Sequence, residues 1–441
     1  MASDNFRELY WLWLSERVGI ASKEFPKLME QYADPYDIYR LDVEELERLE
    51  GISSGLKYKL SDKSVDHAYT LVKYCRNYKI KVIGYGDDDY PSRLRAIPDP
   101  PVLLYCKGTM PNMNEKLCIG IVGTRRVSEY GKRHALKLSY ELGAAGVCVV
   151  SGMALGIDGV SACGVLEAGG KTVAVLGCGL ATVYPKQHAQ LMRAITKNGA
   201  VVSEYPPFEK PNSWNFPKRN RIISGMCQGV AIIEGTRKSG SMITARAAIE
   251  QGREVFALPG HVDDCNAEGT NELIHDGANV VLNTEDIVNH YDFLYSSAID
   301  RGGLARAKQK FKYSERMIRR YGVCADVDTK EPKMPLTDEV VLSSKFHVYD
   351  PNKTAKKEKI TAEQCRKDVL ECSDKIEADD DMARYDEVTR LVYSLMPDGE
   401  AITADKIIPD GVNSSQVITS LTLLEIGGDI KSLPGGMYMK I

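Results

Sequence analysis

Seven short apolar runs, spaced by helical stretches, constrain this chain more than any other feature. "LCIGIVG" begins at Leu117, and "VCVVS", "KTVAVLG", "AVVSE", "GVAIIE", "EVFALP" and "NVVL" follow in that order. Between them lie stretches such as "EYGKRHALKLSYELGAAG", long enough for a helix. A strand that is apolar on both sides is covered on both sides, and alternation with helices makes the sheet parallel. The pattern predicts an α/β fold, a Rossmann-like doubly wound sheet over about 117–290. Of 441 residues, 43 % are hydrophobic, enough core for about two to four domains.

The flanks read differently. Residues 1–80 predict a domain of small helices. Phe25, Leu28, Met29 and Tyr32 share one helical face, and Asp42 with Glu45 makes a capping-box arrangement. The Gly-rich "LEGISSG" between short helices fits either a helix-hairpin-helix touching a nucleic-acid backbone or an ordinary helix stop. Residues 81–116 lead into the sheet, which places the Rossmann-like domain at 81–295. Residues 296–383 are mixed in charge with few apolar repeats, and are expected to be a linker or weakly ordered insertion with some helix.

Order is expected again over 384–441. Val388, Leu391, Val392 and Leu395 form one stripe, and "ITADKI" is expected to open a second helix at Thr403. "NSSQVITSLTLLEIGG" makes a third, with Val417, Leu421 and Leu424 inward, and "DIKSLPGGMYMKI" reads as a hairpin turning at Pro434–Gly436. Three helices and a hairpin predict a winged helix-turn-helix, with a small helical cap as the alternative. Its third helix has no Lys or Arg and carries Glu425, so it is expected to contact protein rather than DNA.

The net charge is −4, so any anion site must be a local concentration of cations. Eleven cysteines occur without one CxxC pair. That argues against a disulfide framework or a zinc ribbon, and no metal or cofactor is expected. The start, "MASDNFRELYWLWLSERVGI", is broken by charges and reads as neither a signal peptide nor a membrane span. A cytoplasmic protein with no membrane partner is expected.

In a doubly wound sheet, ligands sit outside the carboxyl ends of the strands. There the sequence places "GTRRVSEYG", with Gly123 for a tight turn and Arg125 after it; the spacing is not GxGxxG. Next come "SGMALGID", where Ser151 and Gly152 leave backbone N–H groups exposed, and "GCGLATVYPKQH", with Tyr184 and Lys186. "NSWNFPKRNRIISGM" then sets Lys218, Arg219 and Arg221 around Asn220, and "EGTRKSGSMITARAA" puts Ser239, Gly240, Ser241 and Thr244 at a helix mouth. Helix N-termini attract anions, so Arg125, Lys186, Arg219 and Arg221 on one edge predict a polyanion site. A shared phosphate would relieve the repulsion among Lys218, Arg219 and Arg221. The alternative pairs Arg219 and Arg221 with acids such as Glu204 or Glu234. Phe216 and Trp214 beside these cations can stack an unpaired base; the alternative for both is core packing, which weighs more for Trp214 than for Phe216.

Taken in order, "GTRRVSEYG", "SGMALGID", "GCGLATVYP", "VVSEYPP", "FPKRNRIISG", "KSGSMITARAAIEQGREVFALPG" and "EGTNELIHDGA" closely resemble the DNA-processing protein A family, also called DprA or Smf. The resemblance covers roughly 80 to 290, and the flanks more loosely. It implies an extended Rossmann fold that dimerises, in a bacterial protein that binds single-stranded DNA. Such proteins protect incoming strands in natural transformation and help load RecA, with no established catalysis. Position by position, it implies a DNA pocket of Arg125, Lys186, Phe216, Arg219, Arg221, Ser239, Gly240, Ser241 and Thr244. The family pattern has a lysine just ahead of the loop aromatic; here Ser213 and Trp214 fill that stretch, leaving Lys210 or Lys218 to substitute.

Two other readings compete. A Rossmann-like nucleotide hydrolase would carry a PGGxGT-type loop, and "LPGHVDD" lacks its paired glycines. A nucleotide sensor signalling through the winged helix lacks both GxGxxG and a ribose-binding acid after the second strand.

Overall fold

The computed structural model describes residues 4–323 and, further on, short stretches between 392 and 440. These fall in two compact units, one within Met1–Ile360 and one within Thr361–Ile441.

The first unit opens with helices α1 (Asp4–Val18), α2 (Phe25–Gln31), α3 (Pro35–Arg40), α4 (Val43–Glu47), α5 (Ser54–Ser61) and α6 (Asp66–Asn77). The Asp42–Glu45 capping box forms at α4, and Gly51, with φ +68°, turns the chain towards α5. Trp11, Leu12, Trp13 and Leu14 of α1 are almost wholly buried. Trp11 lies against the sheet edge so closely that a Cβ at Gly84 would stand 2.3 Å from its Nε1.

The sheet follows. Its strands are β1 (Ile80–Gly84), β2 (Leu103–Gly108), β3 (Cys118–Val122), β4 (Cys148–Ser151), β5 (Thr172–Leu176), β6 (Ala200–Ser203), β7 (Gly229–Ile232), β8 (Glu254–Ala257) and β9 (Asn279–Val280). Among the described residues they form one nine-stranded sheet in the order β1-β2-β6-β5-β4-β3-β7-β8-β9. β6 through β9 run parallel in that order, as the apolar runs predict. β1 and β2 extend the edge antiparallel. The lead-in segment, given no strand in the sequence reading, thus supplies both.

The intervening helices are α7 (Ser92–Arg95), α8 (Glu129–Ala144), α9 (Ile157–Glu167), α10 (Ala189–Asn198), α11 (Asn215–Gly225), α12 (Gly240–Glu250), α13 (Glu268–His275), α14 (Thr284–His290) and α15 (Asp292–Tyr295). Ile83, Leu104, Val122, Val150, Val175, Val202, Ile222, Val230 and Val255 belong to one core cluster. From β3 the chain works outward through β4, β5 and β6, then returns to β7 on the other side of β3. The switch point therefore lies between β3 and β7, and the crevice it opens is where such sheets take ligands.

The segment expected to be a linker or weakly ordered insertion with some helix begins helical. Two further helices, α16 (Arg301–Lys310) and α17 (Glu315–Arg319), pack on α8 and α9 and bury Leu304, Ala307 and Ile318. Asp300 caps α16 through Gly303 N–H at 2.7 Å. The few apolar residues of this stretch are spent on the core, which a count of charges does not reveal. Residues 324–383 lie outside the described residues.

In the second unit, β10 (Ile402–Thr403), β11 (Ile430–Leu433) and β12 (Met437–Lys440) pair antiparallel in the order β10-β12-β11. β11 and β12 pair as the two strands of the expected hairpin, and the turn predicted at Pro434–Gly436 lies outside the described residues. Thr403, expected to start a helix, instead pairs with Met437 as part of β10, whose Ile402 and Thr403 are both β-branched and suit a sheet edge. Val417, Leu421 and Leu424 are buried together with Val392, Met396, Ile407 and Ile430. Leu395 is exposed, and Met396 takes the inward place.

Candidate nucleic-acid interface

An open cleft of about 360 Å³ lies over the carboxyl ends of β3, β4 and β5, lined by Arg125, Gly152, Leu155, Gly177, Tyr184 and Phe216 among others. Glycines make it possible. A Cβ at Gly123 would stand 2.6 Å from Ile157, and one at Gly177 would stand 2.8 Å from the Phe216 ring.

Phe216, in the first turn of α11, is half-buried. The guanidinium carbon of Arg125 stands 5.7 Å from its ring centre and that of Arg219 stands 5.9 Å away. The Tyr184 ring lies 5.3 Å off, tilted by 35°. Both distances fall within cation–π range. Arg125, which lines the cleft, is exposed, as are Lys186, next to the lining Pro185, and Lys218 on α11.

Arg219 is different. It is buried beneath the cleft and donates to the carbonyls of Gly152, at 3.0 Å, and Val175. Burial lowers its pKa to about 10, against the favourable charge of Asp158. Asp158, at the start of α9, accepts from Gly152 N–H at 3.0 Å and Ala154 N–H at 3.4 Å. Its pKa is raised by burial, with Arg219 opposing. Gly152 is squeezed between them: a Cβ there would stand 2.5 Å from Arg219 Nη2 and 2.6 Å from Asp158 Oδ2. Ser151 is buried, and its hydroxyl accepts from Met153 N–H at 3.4 Å.

Arg221 leaves the cleft altogether. It is buried and donates through Nη2 to both carboxylate oxygens of Glu204 at 2.7 Å, while Nε lies 3.3 Å from Asp99. Of the two acids weighed from the sequence as arginine partners, Glu204 takes Arg221. Glu234 instead caps α8 through Ser128 N–H at 3.0 Å and the Ser128 hydroxyl. Asn220 donates to the Gly240 carbonyl at 3.2 Å and so ties α11 to the mouth of α12. There Ser239 and Ser241 hydroxyls lie 2.7 Å apart, Thr244 is buried, and the space beside Gly240 is open.

The structure therefore gathers Arg125, Gly152 and Phe216 at the cleft, with Lys186 on its rim, and sets Arg219 underneath. It sends Arg221 to the far side of α11. Trp214, expected in the core, is 76 % exposed. It precedes the first turn of α11, whereas the continuously buried part of that helix starts at Arg219. Asp158 was not singled out from the sequence; an acid in the first turn of a helix that starts after a strand tip was the available signal.

The family model of DNA recombination-mediator protein A matches residues 81–292. The DNA processing protein DprA of Bacillus subtilis is 44 % identical over 48 % of this chain and 71 % of its own length. Protein Smf of Synechocystis is 35 % identical over 64 % of this chain and 72 % of its own. The X-ray structure of DNA processing protein A from Streptococcus pneumoniae superposes with a TM-score of 0.56 at 33 % identity, covering 64 % of this chain and 97 % of that one. With the parallel sheet, the cleft over the carboxyl ends of β3, β4 and β5 and these matches together, the chain belongs to the DNA recombination-mediator protein A family, the DprA or Smf proteins.

Proposed function

We propose that this protein binds single-stranded DNA across the cleft and acts as a recombination mediator in natural transformation. The observation that carries the reading is the Phe216 ring, half-exposed in an open cleft between the Arg125 guanidinium and the Tyr184 ring. An unstacked base can lie on such a ring while flanking cations take its phosphates, and a duplex hides its bases. Arg125, Lys186 and Lys218 would hold phosphates at the rim. The α12 mouth, with Ser239, Gly240, Ser241 and Thr244, would offer N–H groups to another. Gly123, Ser151 and Gly152 would give close backbone approach, and Arg219 and Asn220 would hold the floor. No step of this reading is catalytic.

A mediator needs a second surface, for RecA, and a homodimer would gain avidity by holding two strand segments. The C-terminal unit, read as a winged helix, would contact protein. A small N-terminal helical domain of SAM or helix-hairpin-helix type would complete the architecture.

The test is a titration of labelled single strand and duplex against the full-length protein. Preference for the single strand is expected, with Phe216→Ala weakening it about tenfold, since one base–aromatic stack is worth about 1–3 kcal/mol. Equal affinity for both forms, with Phe216→Ala silent, would falsify the placement. Sedimentation and RecA strand-exchange assays then decide the dimer and the loading role.

A further inference from the structure

The loop between β6 and α11 carries rings that the cleft does not use. Phe208 is 58 % exposed, and its ring centre lies 4.2 Å from that of Tyr74 on α6. Tyr74 in turn lies 4.3 Å from Tyr78, which is 37 % exposed. The three form one surface cluster joining the N-terminal helices to the sheet.

The loop that presents Phe208 is pinned. Gly179 N–H donates to Glu209 O at 2.8 Å and Ala181 N–H to Pro207 O at 2.9 Å. A Cβ at Gly179 would stand 2.1 Å from Pro207 O, so loop and strand tip are in backbone contact. Gly179 belongs to the same β5 loop whose Gly177 and Cys178 line the cleft. β6 is the immediate neighbour of β5, and adjacent strands lie about 4.8 Å apart. The ring cluster thus begins at Phe208, one strand beyond the cleft, and runs from there to the end of α6 ahead of β1. Exposed cations adjoin it in sequence, Lys73 beside Tyr74, Lys79 beside Tyr78 and Lys210 two residues from Phe208, with the exposed acid Glu209 between.

We infer that a single strand lying in the cleft continues over the β6–α11 loop onto a second base-stacking platform made by Phe208, Tyr74 and Tyr78. The inference rests on the strand-binding reading of the cleft. Simple glue between α6 and the loop accounts poorly for Phe208, which leaves over half its surface in water where packing gains little. A stacking platform needs that face open, with cations beside it for the backbone. Trp214, 76 % exposed and six residues further along the same loop, lies on the way to Phe216.

The experiment uses full-length protein and labelled oligothymidylates of about six and about twenty nucleotides, lengths that bracket one stacking groove. Wild type should bind the longer one more tightly. Phe208→Ala and Tyr78→Ala should each weaken the longer oligonucleotide about fivefold or more and leave the shorter within about twofold. Phe208→Leu, which keeps the apolar contact with Tyr74, should weaken the longer one as Phe208→Ala does. Unchanged long-strand binding in these variants overturns the platform. Equal weakening of both lengths also overturns it, since the rings would then only support the cleft. Wild-type protein that binds both lengths equally leaves the cleft reading standing and removes the platform; binding of neither removes both.

Discussion

The exposed and buried sides of α11 make opposite uses of the same chemistry. Lys218 stands in water, while its neighbour Arg219 and then Arg221 are buried. Residues two apart on a helix point about 200° away from one another. Arg219 therefore reaches the carbonyls under the cleft, and Arg221 reaches Glu204 and Asp99 on the opposite side. The turn before α10 repeats the contrast, with Lys186 exposed and His188 buried two residues later. Cations adjacent in sequence are thus not a patch; each is neutralised, or left free for a ligand, by what its own direction meets.

The sharpest way to break the comparison is Arg221→Met. Glu204 is buried, and burial raises its pKa even with Arg221 beside it. Removing the arginine strands that carboxylate and should cost about 3–5 kcal/mol in urea denaturation. The double variant with Glu204→Met should recover most of the loss, because a hydrophobic pair can replace a buried ion pair. If Arg221→Met instead abolished strand binding with its urea midpoint unchanged, Arg221 would belong to the cleft.

The exposed end should respond in the opposite sense. Arg125→Ala and Lys218→Ala are expected to leave the melting temperature unchanged. Each should weaken single-strand binding severalfold to about tenfold. Each should also flatten the log–log salt dependence by about 0.7, the value for one neutralised phosphate. A lowered melting temperature with an unchanged salt slope would make these side chains structural and erase the contrast.

The sheet was legible in the sequence because its strands are apolar on both faces, a pattern that needs no knowledge of partners. "LCIGIVG" and "GVAIIE" each hold a strand, and the cleft lies at the strand tips where that topology puts it. The fate of the arginines was not legible. Arg219 and Arg221 find Gly152, Val175, Glu204 and Asp99 on four other segments, and only the closed fold brings these together. Trp214 misled for a related reason: its size suggests core, but its place before the first turn of α11 leaves it outside. The antiparallel pair β1 and β2 escaped because two short runs among charges look like a lead-in until β6 offers an edge.

His188 offers the mildest test of the same contrast, through pH. Its Nδ1 lies 3.0 Å from the Met153 carbonyl, and among the described residues its buried Nε2 has no hydrogen-bond partner. A Cβ at Gly159 would stand 2.7 Å from its ring, so the site has no room to admit one. Burial lowers its pKa below the ordinary value, the Met153 contact opposing. The unfolded chain, with an ordinary imidazole at about 6.5, then takes up a proton before the folded chain does. Its contribution is therefore fully present above about pH 6.5 and declines as pH falls below that value. One proton limits the slope to about 1.4 kcal/mol per pH unit, so the effect is the smallest of the three. His188→Asn keeps a donor for Met153 but cannot titrate. Urea midpoints between pH 7.5 and 5.5, a window set about the imidazole value, should fall more steeply for the wild type than for His188→Asn. Parallel slopes would mean that His188 accepts its proton in place, and that the turn carrying Lys186 is no more buried beneath than above.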